Sequence, residues 1–215
     1  MKKFLVLGVL FLLPLVAYLF FASGVHNFAK LPVLNKDVGI NITAFEALDK
    51  TQVVLQDKIT VLGFLGNDLA QKKGNAFNLN QKIYKKNHGF QDFQMVMALP
   101  FGTEGQAKQI LEQLAVITDV SEWKFVFGTS EQLQKLFASL QTPYKLDDHL
   151  ASSYVFIIDK NKNLRGRDGT AKEQEYFGYD ASSVAELNNI MSDDIKVILA
   201  EYRLALKKYK ADRKN

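Results

Sequence analysis

The chain has 215 residues, a formal charge of +4 and 47% hydrophobic residues, and it contains no cysteine. Its length suits one ordinary domain with a real core, and its hydrophobic fraction is that of a folded protein. The lack of cysteine excludes a disulfide framework, a thiol nucleophile, a thiolate metal site and any CxxC redox centre.

Lys2 and Lys3 precede an uncharged, almost wholly apolar run from Phe4 to Ala22. As a helix, this run reaches roughly 30 Å, the thickness of a bilayer core. Pro14 lies mid-run, where a membrane helix tolerates it better than a soluble one. The run is longer than the apolar part of a secretory signal, although Ala22-Ser23-Gly24 has the small residues of a cleavage site. Residues 1–25 therefore read as a transmembrane anchor, with a signal segment as the alternative. The two lysines favour an inside amino terminus and an outside domain. The expected location is the cytoplasmic membrane, single-pass, with the domain on the periplasmic side. Of 27 basic residues, all but Lys2 and Lys3 face 23 acidic ones, leaving +2. Arg203, Lys207, Lys208, Lys210, Arg213 and Lys214 crowd the carboxy terminus, where cations suit the end of a helix. No basic stripe interleaved with aromatics marks a nucleic-acid surface.

Residues 26–44, with Leu31-Pro32, read as a linker. Gln52–Leu55 reads as a short strand and Ile59–Phe64 as a buried one. Asn67–Lys86 is helix-compatible, with Phe77, Ile83 and Tyr84 near helical spacing. Phe93–Leu99 is a second buried strand, stopped by Pro100. Thr103–Val116 is an amphipathic helix with Ala107, Ile110, Leu111, Leu114 and Ala115 on one face. Trp123–Phe127 is a third strand. Ser130 is placed to cap a helix whose Leu133, Leu136 and Leu140 share a face. Ser153–Ile158 is a fourth strand, Asp159–Asn163 a turn and Leu164–Arg167 its hairpin partner. Ser192, with Asp193 and Asp194, is placed to open a last helix reaching about Lys210. This order predicts an α/β fold with a central mixed sheet between helical layers, arranged as a thioredoxin-like domain over residues 45–213.

The segment Asp148-His149-Leu150-Ala151-Ser152-Ser153-Tyr154-Val155-Phe156-Ile157-Ile158-Asp159 resembles the Sco/SenC family. These are membrane-anchored, thioredoxin-fold copper proteins that help assemble cytochrome c oxidase. The family sets a histidine just before a strand that ends in Asp and a turn. Trp123–Thr129, the Thr103–Val116 helix, Asp193–Leu199 and the amino-terminal run are similar in the same order. The resemblance covers most of residues 30–200. It implies a CxxxC after the first long strand, and those positions fall near Asp68 and Lys72. Asn78-Leu79 stands where the family commonly has Asn-Met. His149 matches the family ligand, but both thiols are missing. Asp is a hard ligand and a protonated Lys has no lone pair, so neither replaces a thiolate for copper(I).

One histidine cannot hold a metal specifically. Met95 and Met97 share a strand face with each other, and with His149 they form the alternative of a rebuilt copper site. Packing explains the two methionines more simply. His26 and His88 are isolated. Asp147 and Asp148 beside His149 resemble a dyad or supporting carboxylate, but no serine or cysteine nucleophile accompanies them. Asp159–Asn163 begins like a calcium loop and then fails, with Leu164 at the glycine position and Thr170 at the glutamate position. Arg165, Arg167, Tyr176, Phe177 and Tyr179 compose a candidate docking surface for a protein partner. The expectation is a non-catalytic, cysteine-free accessory protein without a cofactor, with the rebuilt copper site as the alternative and a thioredoxin-fold enzyme, which the lack of cysteine disfavours, as the weaker one. Its partners would be the membrane and oxidase subunits or assembly factors, with no nucleic acid.

Overall fold

β-branched and aromatic residues concentrate in three runs that form the parallel centre of one sheet. The structure is a computed structural model and describes residues 2–22, 30–170 and 174–212. The three runs are β3 (Ile59–Phe64), β4 (Phe93–Pro100) and β5 (Trp123–Gly128), paired parallel as β3·β4 and β4·β5. β6 (Tyr154–Ile158) lies antiparallel to the other edge of β3, and β7 (Leu164–Arg165) folds back on it as a hairpin. The sheet has the order β1-β7-β6-β3-β4-β5-β2, with β8 (Tyr179–Asp180) paired to β6 off this path. β1 is Val33–Asn35 and β2 is Glu46–Ala47.

The pleat sorts the core into two faces. Val61, Met95, Met97, Phe125 and Ile157 face one helical layer, built from α2 (Leu69–Leu79), α4 (Glu104–Ala115) and α7 (Ser192–Asp212). Leu62, Phe64, Val96, Val126, Phe156 and Ile158 face the other, built from α5 (Ser130–Ala138) and the chain around Val38–Leu55. Phe137 of α5 sets its edge against Phe64 and Phe156, with ring centroids 5.0 and 5.7 Å apart. This is the expected α/β arrangement of helices on both faces of a mixed sheet.

Several local expectations give way. Lys30–Ala44 contributes the edge strand β1 and buries Val38 and Ile42, so most of it belongs to the folded unit. Gln52–Leu55 is extended but pairs with no strand; Val53 and Leu55 are buried, and the Gln94 amide takes the Val54 carbonyl at 2.8 Å. Thr129, one residue before Ser130, caps α5 through a capping box with Gln132. Ser192 lies inside a longer helix. Ser183 caps it, α6 (Val184–Glu186) opens it, and a π turn over Leu187–Met191 carries it into α7. Likewise α2 passes through a π turn at Asn80–Tyr84 into α3 (Lys85–Asn87). Ala115 is exposed rather than on the buried face of α4.

At the amino terminus α1 spans Lys2–Ala22 with Pro14 inside it. Its described apolar side chains stand in the open, with Phe4 85% and Phe11 71% exposed. Among the described residues no helix is long and apolar enough to cross a membrane. Ser23, Gly24, His26, Arg213 and Lys214 lie outside the described residues.

Arg165 ties four parts of the chain together. Its Nη1 meets Asp159 Oδ2 at 2.9 Å and its Nη2 meets Glu201 Oε2 at 2.7 Å. Nε donates to the Leu31 carbonyl at 2.8 Å. Asp159 Oδ1 in turn accepts from the backbone of Asn161 and Asn163, which closes the β6–β7 turn and uses the carboxylate that resembled a calcium ligand. Burial alone would lower the Arg165 pKa, but its hydrogen bonds to Glu201 and Asp159 and their negative charges together outweigh it and raise the value. Arg165→Met strands two carboxylates and a carbonyl, and should cost about 3–5 kcal/mol in urea denaturation.

Candidate functional site

Two loops meet at the carboxy-terminal end of β3. The chain leaving β3 passes Leu65, Gly66 and Asn67 before α2, and the chain entering β6 passes Asp147–Ser153. Leu65 bridges Ala151, the Asn67 N–H donates to the His149 carbonyl at 2.9 Å, and the Ser152 N–H donates to the Phe64 carbonyl at 2.9 Å. Gly66 makes this approach possible. Its φ is +71°, and a Cβ there would sit 2.4 Å from the His149 carbonyl oxygen.

The side chains close the same junction. His149 Nδ1 lies 3.0 Å from Asn67 Oδ1. An amide oxygen only accepts, so Nδ1 carries the proton and Nε2 is the ring atom left to bind anything. Asp68 caps α2, accepting from the Gln71 backbone at 3.4 Å and the Gln71 side chain at 2.9 Å. Lys72 crosses to the second loop and donates to Ser153 Oγ at 3.1 Å. Asn78 donates to the Ala181 carbonyl at 3.1 Å while Leu79 is buried in the core. Asp68, Lys72 and His149 are therefore brought to one end of the sheet. Sequence reasoning missed Asn67 and Ser153, because their partners lie 82 and 81 residues away.

Asp147 does not serve the imidazole. Its Oδ1 accepts the backbone N–H of His149 at 2.9 Å and of Ala151 at 2.8 Å. The two-residue spacing from Asp147 to His149 is that of an Asx turn, a signal readable in the sequence. Met95 and Met97 are fully buried in the core, whereas His149 is exposed on its loop. Among the described residues no group of three His, Cys, Asp or Glu side chains could hold a metal ion. The donors at the junction are one imidazole nitrogen, an amide, a capping carboxylate and an ammonium. This set does not fit copper(I), which selects soft sulfur ligands.

The candidate docking residues divide. Arg165 and Tyr179 are 3% and 0% exposed and point inward. The Tyr179 hydroxyl donates to Asp194 Oδ2 at 2.7 Å, and Arg167 binds the same carboxylate through Nε at 3.0 Å and Nη2 at 2.9 Å. Tyr176 stacks on Tyr179 with centroids 5.9 Å apart, and Arg167 lies over the Tyr176 ring at 6.0 Å. Arg167, Tyr176 and Phe177 remain partly exposed. The cluster is first an internal brace between β8, the β7 end and α7, because a buried carboxylate needs every donor it has.

Gly66→Ala should lose about 1–2 kcal/mol from its left-handed backbone and about 1–3 kcal/mol from forcing the loops apart. Gly89→Ala, whose Cβ would meet nothing within 4 Å, is the control and should change little in the same melts. Burial raises the Tyr179 pKa, and Asp194 raises it further. The unfolded tyrosine ionises near pH 10 while the folded one stays neutral, so its contribution is full below pH 10 and lost above it. Tyr179→Phe should weaken the protein at neutral pH by about 1–2 kcal/mol. Between about pH 10 and 12 it should make the alkaline loss shallower by about 1.4 kcal/mol per pH unit in pH-resolved urea denaturation.

No protein-family profile matches the chain, and no curated protein matches its sequence. Solved structures do. A SCO1/SenC family lipoprotein from Bacillus anthracis str. Ames superposes with a TM-score of 0.50 at 17% identity, covering 80% of this chain and 96% of that one. A candidate electron transfer protein from Aquifex aeolicus VF5 superposes with a TM-score of 0.53 at 16% identity, covering 78% and 98%. At these identities the likeness establishes the fold, and the chain has the thioredoxin-like fold shared by its Sco/SenC structural neighbours.

Proposed function

We propose that the protein is a membrane-anchored, non-catalytic Sco-like factor that binds a protein partner in cytochrome oxidase or copper-protein assembly. The observation that carries this reading is the closed junction at the end of β3. The loops are kept, yet Asn67, Asp68, Lys72 and Ser153 tie them with amide, carboxylate, ammonium and hydroxyl contacts. A rigid loop pair with no soft donor suits recognition better than metal carriage. The apolar run Phe4–Ala22 supports the anchor, since its exposed side chains need lipid to cover them. The domain then stands on the outer side of the cytoplasmic membrane.

Two measurements on the full chain test it. A photo-crosslinker at exposed Asp148, used in native membranes, should capture oxidase subunits or oxidase assembly proteins; their consistent absence overturns the pathway. Copper(I) titration against a competing chelator should show no tight one-to-one binding. Tight binding that disappears in His149→Ala overturns the loss of copper carriage. Asp68→Cys combined with Lys72→Cys should create such binding, because it restores two thiolates beside His149 Nε2.

A further inference from the structure

Lys86, Lys196 and Arg203 surround a groove of about 350 Å³ whose apolar floor includes Phe90 and Leu199. No carboxylate lines it among the described residues. Phe90 is 40% exposed, a large apolar side chain at the mouth of a cationic groove. Lys196 pairs with Asp193 at 2.7 Å, but the two side chains are 65% and 59% exposed. Such a pair is weak and leaves the ammonium open to exchange for another anion. Lys86 donates to the Asn188 side-chain oxygen at 3.3 Å. Phe90 and Arg203 also line a smaller neighbouring cleft with Asp92, Lys160 and Tyr202, where Lys160 is paired with Asp92, so Phe90 and Arg203 are what the two hollows share. Cations around an exposed aromatic floor match an amphiphile with an anionic head.

The path of the chain says which amphiphile. The Leu31 carbonyl is held by Arg165, which also grips Glu201. The chain therefore enters the domain beside Glu201, on the helix that also carries Arg203 and one turn or less from it along the axis. Nine Cα steps join Ala22 of α1 to Leu31, a reach of at most about 32 Å. The apolar helix thus ends within about 32 Å of the point where the chain enters the domain. His149 lies at the far end of β3. The Ile59 end of that strand pairs with Asp92, close to Phe90, and six residues of strand run about 20 Å.

We propose that this groove docks the domain on anionic phospholipid headgroups of the membrane that holds the amino-terminal helix. Lys86, Lys196 and Arg203 take the phosphates and Phe90 sits at headgroup depth. The His149 loops then point away from the bilayer. The proposal rests on the anchored reading above.

Cysteine-free chemistry makes the test direct, since one introduced thiol is the only one in the chain. The full chain carries a fluorophore at Gly89→Cys or Asp148→Cys and is reconstituted into vesicles of phosphatidylcholine, with or without phosphatidylglycerol, bearing an acceptor dye at the surface. Energy transfer from position 89 should be strong only with phosphatidylglycerol, and weak from position 148 in both. Lys86→Gln with Lys196→Gln and Arg203→Gln should lower the ratio of docked to lifted domains roughly 100-fold at unchanged thermal stability. High salt should do the same to the unsubstituted protein. Equal transfer from position 89 in both lipids, or an unaltered triple variant, overturns the proposal. Flotation separates the two readings. A triple variant that still floats with phosphatidylcholine vesicles keeps the anchor whatever the groove does. Flotation only with phosphatidylglycerol, lost in the triple variant, removes the anchor and supports the groove. A chain that floats with neither vesicle overturns both.

Discussion

A guanidinium that is 3% exposed has to be met by acceptors on all sides, and Arg165 is met by Asp159, Glu201 and the Leu31 carbonyl. These partners come from a hairpin turn, a carboxy-terminal helix and the segment leading into β1, and the last lies far from the other two in sequence. No one of them reaches its position without the others. Isolated burial of this charge would be strongly unfavourable, so the ion network acts as a condition on the fold rather than an ornament of it. It fixes where the chain enters the domain, how the β6–β7 hairpin closes and how the last helix crosses the sheet.

A second buried charge extends the same logic to the start of α7. Asp194 is nearly buried and takes Arg167 and Tyr179 together, which ties β8 and the end of β7 to that helix. With Arg165 gripping Glu201, α7 is held by arginines of the hairpin segment at two points about two turns apart. The partly exposed Tyr176 and Phe177 stand on this brace. Any partner that touches them meets a surface already set by the protein's own ion pairs, with little ordering entropy left to lose on binding.

The central sheet was legible in the sequence because its signals are local. Ile59–Phe64, Phe93–Leu99, Trp123–Phe127 and Tyr154–Ile158 are apolar runs bounded by turn residues. The edges were not legible. Val33–Asn35 and Glu46–Ala47 are too short to carry a period, and each is a strand only because a distant edge offers it hydrogen bonds. Gln52–Leu55 has a strand-like composition, yet a side-chain amide from β4 takes its carbonyl. At the candidate site, His149 and the positions of Asp68 and Lys72 could be matched to a family pattern, while Asn67 and Ser153 became visible only once two loops had met. Arginines 165 and 167 looked like surface because a hairpin sequence shows charge without showing what faces it.

The absence of cysteine gains meaning from this geometry. Had the loops after β3 and before β6 been left open, the missing thiols would mark a decayed centre. Instead Asp68 and Lys72 each have a structural task there. Asp68 accepts backbone and side-chain donors at the start of α2, as a carboxylate suits a helix N-terminus. Lys72 has the length to span to Ser153, and a thiol at that position does not. Gly66 lets the His149 carbonyl come within hydrogen-bonding distance of Asn67. The junction is made of hard, directional contacts. Such contacts hold two loops in one arrangement, and a fixed arrangement is what a recognition surface needs and a metal carrier, which must open to exchange its ion, does not.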